Sequence, residues 1–478
     1  MSIRQFVSEI QRGSISAEES IAKAIKSAGS LNKKLKFFIT PTFDLAARHA
    51  HQVQHLVNNH SDAGRLAGIA VSVKDALCIE GVESCAGSAV LKGYKPLITA
   101  TAVSKTIASG GCIIGKTAQD EFGFGGFNTN VGQGFPVPLN PHDSLRSCGG
   151  SSGGAACITS AADFPHIAVA ESTGGSIVNP AAFCGVVGLC PTYGRVSRNG
   201  LIDYANSLDK IGVMGRCVDD VAIALEIMAG KDSNDHTSSS VPVGYYGSHA
   251  VSPRRQLKVG IVKESFGEGV DERVVKNVRD AIKKVTDAGV QTAEVSLPLA
   301  FNYGVPSYYL IALSEASTNL ARYNGLLFGA TEKLSSDSKG FRDFFASVRT
   351  KYFGAEAKRR ILLGTFARMA GWRDAYYTKA LQVRQLIIQE YQRAFSQVDV
   401  LVSPTMPFIA PKFSEISQMS PLQNYMADIL TVGPNLAGLP HMSLPCGTVE
   451  GMPVGIMFTA PHFREDMLIH AGGMHESI

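Results

Sequence analysis

The chain has 478 residues, 45% of them hydrophobic and 48 of them glycine, which fits a globular α/β protein with a large core; the length can hold two or three domains but sets only a soft prior. Net charge is +4, with charged residues at 18% and spread along the chain, which by itself points away from a nucleic-acid grip. The nine cysteines show no Cys-x-x-Cys pair and no Cys/His ligand spacing, so neither zinc nor a disulfide framework is indicated and a reducing compartment fits; no run of about 18 apolar residues predicts a membrane span.

Residues 1–60 read as a helical segment. The start, MSIRQFVSEIQRG, lacks the apolar stretch of a secretory signal and neither makes nor excludes a transit peptide. Ser16-Ala17-Glu18-Glu19 is a capping-box pattern, with Ile21, Ala24 and Ile25 following at helical spacing. A further helix is predicted from about Phe43 to Val57. The apolar run from Leu66 to Val73 then reads as a buried strand ending in Lys74-Asp75. A lysine desolvated there can act as a neutral base; taken alone, a lysine snorkelling to solvent at a strand end accounts for it as well.

Gly110-Gly111-Cys112-Ile113-Ile114-Gly115-Lys116-Thr117 matches a phosphate-loop pattern. That loop needs a strand before it and a helix after it, whereas Ala102 to Ser109 reads as helix and Cys112 to Ile114 as strand. No nucleotide site is therefore assigned. Two glycine-serine clusters follow, Gly149 to Gly154 and Thr173 to Ser176, separated by a predicted helix (Ala155 to Ala162) and a predicted strand (Ile167 to Ala170). Glycine leaves backbone N–H groups bare, so the two clusters can bring hydroxyls and oxyanion donors to one point, as an acyl-transfer site requires. Gly149-Gly150-Ser151-Ser152-Gly153 also fits the nucleophile elbow G-x-S-x-G, with His441 or His462 as downstream histidines. That elbow needs a preceding strand, and Asp143 to Cys148 does not read as one. It also explains only one of the two clusters.

Residues 231–256, rich in Ser, Asp, Asn and Pro, read as a surface connection. A βαβ-like unit is predicted next: Leu257 to Val262, a helix from Asp271 to Ala288 and Val290 to Leu297. Residues 306–398 read as mostly helical, Asp399 to Ser403 as a strand, and Pro453 to Phe458 as the last core strand.

The lysine of Val73-Lys74-Asp75, followed by Gly149-Gly150-Ser151-Ser152-Gly153-Gly154, Thr173-Gly174-Gly175-Ser176-Ile177 and the run Pro180 to Ser197, resembles the amidase signature family over nearly the whole chain. Within it the chain looks most like the A-subunit branch of the glutamyl-tRNA(Gln) amidotransferases, in a fungal mitochondrial style. The resemblance implies an α/β amidase signature fold: a large, mixed, mostly parallel twisted sheet flanked by helices on both faces. It implies an amidase domain over 61–478, with the signature core at about 61–230 and a helical substrate-side region at about 306–398.

The same resemblance implies a triad of Ser176 as nucleophile, Ser151 as bridging serine after a cis peptide bond, and Lys74 as base. It points to the N–H groups of Thr173, Gly174, Gly175 and Ser176 as the oxyanion hole. A glycine-rich loop from Asp120 to Gly126, including Gly125, would border the amide pocket. Arg360 would hold the carboxylate of glutamine and Asp428 its ammonium, with Tyr308 or its neighbour Tyr309 lining the pocket. The implied partners are the amidotransferase's B-subunit, which activates Glu-tRNA(Gln) with ATP and Mg and carries most of the tRNA contact, and a small third subunit if the chain is of the fungal mitochondrial kind. No cofactor is expected in this chain. The implied compartment is the mitochondrial matrix, with the cytoplasm as alternative. Two positions depart from the family's common Ser-Asp-Thr-Gly-Gly-Ser-Ile-Arg: Ser172 and Val178 replace its aspartate and arginine, with Glu171 as a partial substitute. Losing such a pair together is near neutral, whereas losing one member is costly. A stand-alone small-amide amidase and a non-catalytic scaffold are the competing readings.

Overall fold

The computed structural model describes residues 2–246, 257–333 and 340–478. Its strands are β1 (Phe38–Pro41), β2 (Ala70–Lys74), β3 (Cys112–Thr117), β4 (His166–Ser172), β5 (Val187–Cys190), β6 (Lys210–Gly215), β7 (Lys258–Val262), β8 (Gln291–Val295), β9 (Val400–Pro404), β10 (His441–Val449) and β11 (Met452–Thr459). They form one sheet in the order β1-β3-β2-β4-β6-β5-β10-β11-β9-β7-β8. The longer helices are α1 (Ile3–Gln11), α2 (Ala17–Leu35), α3 (Phe43–Asn58), α4 (Thr101–Ala108), α5 (Gly153–Ala161), α6 (Val178–Cys184), α7 (Val218–Met228), α8 (Glu272–Asp287), α9 (Pro298–Asn319), α10 (Phe341–Tyr352), α11 (Ala355–Arg368) and α12 (Lys379–Phe395).

The mixed sheet is as expected, but its mostly parallel character is not. Among the described residues, six of the ten strand pairings are antiparallel. The sheet is covered on both faces, so each strand reads as the same apolar run whichever way it points. Direction is set by the connections, as in the tight Glu450-Gly451 hairpin between β10 and β11, where both residues have positive φ.

Side-chain alternation divides the core in two. Ile167 and Val169 of β4, Ile113 of β3 and Val213 of β6 join one apolar cluster with α7 and α8. Ala168, Ala170, Cys112, Ile114 and Met214, each one residue away, join the other, with α5 and much of α2. Successive residues of a strand face opposite sides, so helices cover both faces.

The N-terminal segment holds the predicted capped helix, Ser16 accepting from the Glu19 N–H. It also holds β1, which the helical reading missed. β1 pairs with β3, so residues 1–60 are joined to the sheet rather than set apart from it. In the phosphate-loop look-alike, α4 precedes β3 and Lys116 lies within the strand, its amine donating to Asp75 O at 3.2 Å and Ser84 Oγ at 2.7 Å. The predicted βαβ unit is β7-α8-β8, with parallel strands. The predicted helical region holds α9 to α12. Of the surface connection, residues 247–256 lie outside the described residues. The part before them has neither helix nor strand, yet Tyr246 within it is buried.

Helices α9 and α11 approach closely through Gly364, where an added Cβ would stand 1.9 Å from the Leu313 carbonyl oxygen. Backbone cannot step aside as a flexible side chain can. Gly364→Ala therefore separates the two helices, and thermal denaturation should show a loss of about 1–3 kcal/mol, the usual cost of overpacking.

Candidate active site

β2 and β4 are parallel neighbours, with Val73 beside Val169. Their C-terminal ends bring Lys74 and Glu171 together. Lys74 is fully buried. Its Nζ lies 2.7 Å from Ser151 Oγ, 2.9 Å from the Glu171 carbonyl oxygen and 2.9 Å from Glu171 Oε2. The three partners suit the amine in either state: an ammonium donates to all three, and a neutral amine donates to two and accepts from the Ser151 hydroxyl. Burial excludes the snorkelling lysine. It also supplies the desolvation expected of this strand-end lysine, and the strand order adds a carboxylate beside the amine.

Ser151 follows a cis peptide bond from Gly150 and lies just before α5. No side chain fits at residue 150, where a Cβ would stand 2.2 Å from Asp120 Oδ2. Asp120 accepts from the N–H groups of Asn128 and Asn130 and so ties down the glycine-rich loop. Burial pushes its carboxyl up to about 6, against the pull of those amides and of Lys74. The neighbouring Ser152 donates its hydroxyl to the Glu171 carbonyl at 3.0 Å. Of the two serines, then, it is Ser151 whose hydroxyl meets the amine. Residues 143–148 contain no strand, so the elbow reading has no support. His441 and His462 are bound to the carbonyls of Leu439 and Ala437.

Ser176 sits in the turn between β4 and α6, joined to the first cluster by a 3.3 Å hydrogen bond from the Ser152 N–H to its carbonyl. Its hydroxyl makes no hydrogen bond among the described residues, to Ser151 or to any other group, and 7% of the residue stays open. The N–H groups of Gly174, Gly175 and Ser176 are likewise uncommitted among the described residues. The two glycines allow close approach: a Cβ on Gly174 would stand 2.9 Å from Tyr308 Oη, and one on Gly175 2.4 Å from Thr431 Oγ1.

The helical region supplies the far wall. Arg360 on α11 is buried among Phe124, Tyr204, Tyr309 and Tyr425, its guanidinium carbon 4.8–5.6 Å from their ring centres. Its Nε donates to Glu356 Oε1 at 2.8 Å and its Nη1 to the Tyr204 hydroxyl. Tyr309 stacks on Tyr425 and donates to Asp428 Oδ2 at 2.9 Å. Gly126 brings the glycine-rich loop beside Asp428. A cleft of about 470 Å³ is lined by Gly125, Gly126, Tyr309, Glu356, Arg360 and Tyr425. The open choice between the two tyrosines resolves into two positions: Tyr309 carries Asp428, and Tyr308 stands over Gly174.

The Amidase family profile matches residues 19–469. The chain belongs to the amidase family. It is 43% identical, over 99% of its length and 97% of the other's, to the A-subunit of a glutamyl-tRNA(Gln) amidotransferase from Microcystis aeruginosa. A protein of the same name from Koribacter versatilis is also 43% identical, over 95% of each chain. Among solved structures, the corresponding A-subunit from Thermotoga maritima superposes with a TM-score of 0.77 at 30% identity, covering 98% of this chain and 92% of that one. A bacterial aryl acylamidase reaches a TM-score of 0.85 over 100% and 96% of the two chains, at 20% identity, and shares the fold.

Several groups of this amidase site were not singled out from the sequence. They are Thr173 Oγ1, Asp209, Tyr204, Glu356 and the contact of Glu171 with Lys74. Glu356 stands four residues before Arg360 on α11, a helical spacing that does pair them; the contacts to Lys74, Asp209 and Tyr204 join different elements, and no local pattern marks them.

Asp428 is buried, and burial pushes its carboxyl up to about 6, although the Tyr309 hydroxyl and Arg360 favour the anion. A carboxyl raised in the folded state favours folding when protonated and opposes it when ionised, so stability falls as pH rises from about 4 to about 6. Asp428→Asn removes that charge. Its melting temperature should match the parent's near pH 4 and exceed it above pH 7, by the equivalent of about 2–3 kcal/mol at most.

Proposed function

We propose that this chain is the glutamine-hydrolysing subunit of a tRNA-dependent amidotransferase, releasing ammonia for the conversion of Glu-tRNA(Gln) to Gln-tRNA(Gln) on a partner subunit. The observation that carries the reading is the 2.7 Å contact between Lys74 and Ser151, backed by the names of the relatives similar to nearly the whole chain. Ser176 Oγ attacks the side-chain amide carbon of glutamine. Its proton passes to Ser151 Oγ, whose own proton passes to Lys74 Nζ. The relay requires the uncommitted Ser176 hydroxyl to turn to Ser151, and contacts of this kind commonly tighten only with substrate in place. The bare N–H groups of Gly174, Gly175 and Ser176, with that of Thr173 beside them, receive the oxyanion, the largest single contribution in such reactions. Collapse of the tetrahedral species returns a proton to the leaving nitrogen as ammonia. Water then resolves the glutamyl ester by the reverse relay.

Glutamine is a zwitterion, and the site offers a cation against the Tyr309 ring, Arg360, and an anion at its hydroxyl, Asp428. Arg360 takes the carboxylate and Asp428 the ammonium. Binding the ammonium favours ionised Asp428, so the substrate itself supplies the charge that burial withholds. The B-subunit, with ATP and Mg, activates the tRNA-bound glutamate and carries most of the tRNA contact; a small third subunit completes the assembly in the mitochondrial form. Matrix placement is supported by the sequence pI of about 8.5 and the fungal-style signature. No helix among the described residues is long and apolar enough to cross a membrane.

Ser176→Ala in the assembled complex should abolish glutamine-dependent tRNA amidation and leave amidation from added ammonium salts intact; retained use of glutamine would sink the reading. Hydrolysis of varied amides by the chain alone would favour a stand-alone amidase, and silence of the parent under every condition a scaffold. Arg360→Lys keeps the charge but loses the planar fork. It should raise KM for glutamine by about 10²-fold, the scale of a charged contact worth about 2–3 kcal/mol, with a smaller change in kcat.

A further inference from the structure

Behind Lys74 runs a second buried chain of polar groups. Glu171 faces the amine through Oε2, and its Oε1 accepts from the Thr173 hydroxyl at 2.8 Å. That same hydroxyl oxygen lies 2.8 Å from Asp209 Oδ1. Asp209 also accepts from the N–H groups of Tyr204 and Ala205 at 2.9–3.0 Å. Lys74, Glu171, Thr173 and Asp209 are all at most 3% exposed.

Proton counting fixes the order of this chain. Thr173 has one hydroxyl proton and two carboxylate neighbours at hydrogen-bond distance. It can donate to only one of them, so the other must bring a proton of its own. Glu171 lies 2.9 Å from the Lys74 amine, which is its counter-charge whenever it holds the relayed proton. Asp209 has no ion-pair partner within 4 Å among the described residues. Asp209 therefore carries the proton and donates it to Thr173, and Thr173 donates to Glu171. In agreement, burial and the nearby carboxylates of Glu171 and Asp203 push Asp209 well above the ordinary carboxylate range.

We propose that Glu171 is a positioning residue that holds the Lys74 amine against Ser151 and compensates the ammonium formed when Lys74 takes the serine proton, with Thr173 and protonated Asp209 keeping Glu171 ionised. The inference rests on the relay proposed above. In that step the Ser151 O–H bond breaks and the Lys74 N–H bond forms, while Ser151 gains the proton of Ser176. The positive charge appears 2.9 Å from a carboxylate that bulk solvent does not reach. The other charged groups around Lys74 are Asp120, from the loop after β3, which both Lys74 and Arg360 act on, and the Lys116–Asp75 pair, whose charges meet each other at 3.4 Å.

The test is the pH profile of glutamine hydrolysis by the assembled complex. Glu171→Gln leaves the shape of the side chain and removes the counter-charge. A buried amine without a counter-charge favours its neutral form. The acidic limb of kcat against pH should therefore move down by about one pH unit or more, while kcat at its plateau falls about 10²-fold, the scale of a general acid–base contribution, with KM for glutamine within about twofold. Glu171→Asp, which keeps the charge, should keep the limb near that of the parent and recover part of kcat. A limb that stays in place for Glu171→Gln, or a kcat within about threefold of the parent, overturns the proposal, because a merely structural glutamate would not tie the limb to its charge. Should Glu171→Gln fail to assemble, Thr173→Val and Thr173→Ser decide. The valine should lower kcat about tenfold or more at unchanged KM and the serine restore it; equal rates for valine and parent overturn the proposal. Ser176→Ala separates the two levels. If it keeps glutamine hydrolysis, the relay itself is wrong; if it is inactive while the Glu171 variants keep the parent profile, only this inference falls.

Discussion

A lysine amine with no access to water sits at the centre of this molecule. Burying the lysine amine is expensive unless every N–H finds an acceptor and the charge finds a counter-charge. Lys74 obtains both from two places: one hydroxyl from the loop before α5, and a carbonyl and a carboxylate from the end of β4. That demand constrains much of the core. β2 must lie beside β4, with their C-terminal ends level. The loop carrying Ser151 must come down onto those ends, and Gly150, where no Cβ fits, is what lets it in. Gly123, packed beside Ser151 Oγ and Glu171 Oε2, takes a positive φ of 81° that favours glycine.

The chemistry and the recognition of substrate are built from different parts of the fold. Lys74, Ser151 and Ser176 stand on strand ends and the turns that follow them, held by a sheet buried on both faces. Arg360, Tyr308 and Tyr309 stand on α11 and α9, and Asp428 on a loop near the C-terminus. The two sets meet where bare backbone lets them: Tyr308 over Gly174, Thr431 over Gly175, Asp428 beside Gly126. Helices can drift and exchange side chains without disturbing a strand-end triad.

The sequence was most legible where residue type alone restricts conformation. The two glycine-serine clusters could be read because glycine marks backbone that must stay bare, and the strand before Lys74 because its apolar run is continuous. The contact between Lys74 and Glu171 could not be read: 97 residues separate them, and only the strand order joins them. Nor could strand direction, because a strand buried on both faces has no polar side to orient it. β1 stayed hidden among helices because four residues are too few to show a period. The tyrosine pair was ambiguous for a helical reason. Adjacent residues on a helix point about 100° apart, and here both directions meet the site, Tyr308 towards Gly174 and Tyr309 towards Asp428.

The two departures from the family's usual signature take on a different meaning in three dimensions. An acid at residue 172 would share the face of β4 used by Ala168 and Ala170, since parity along a strand fixes the side. Ser172 occupies that face and donates to the Gly174 carbonyl at 3.3 Å, while Val178 is fully buried in α6. Neither leaves a charge without a partner, so the joint loss of an aspartate and an arginine costs the core little. The acid in this chain stands one residue earlier, at Glu171, and one residue is enough to turn a carboxylate to the opposite face. There it meets Lys74 and Thr173 instead of an arginine. A change that looks in the linear sequence like erosion of a catalytic motif is, in the folded chain, a carboxylate brought within 2.9 Å of a buried amine.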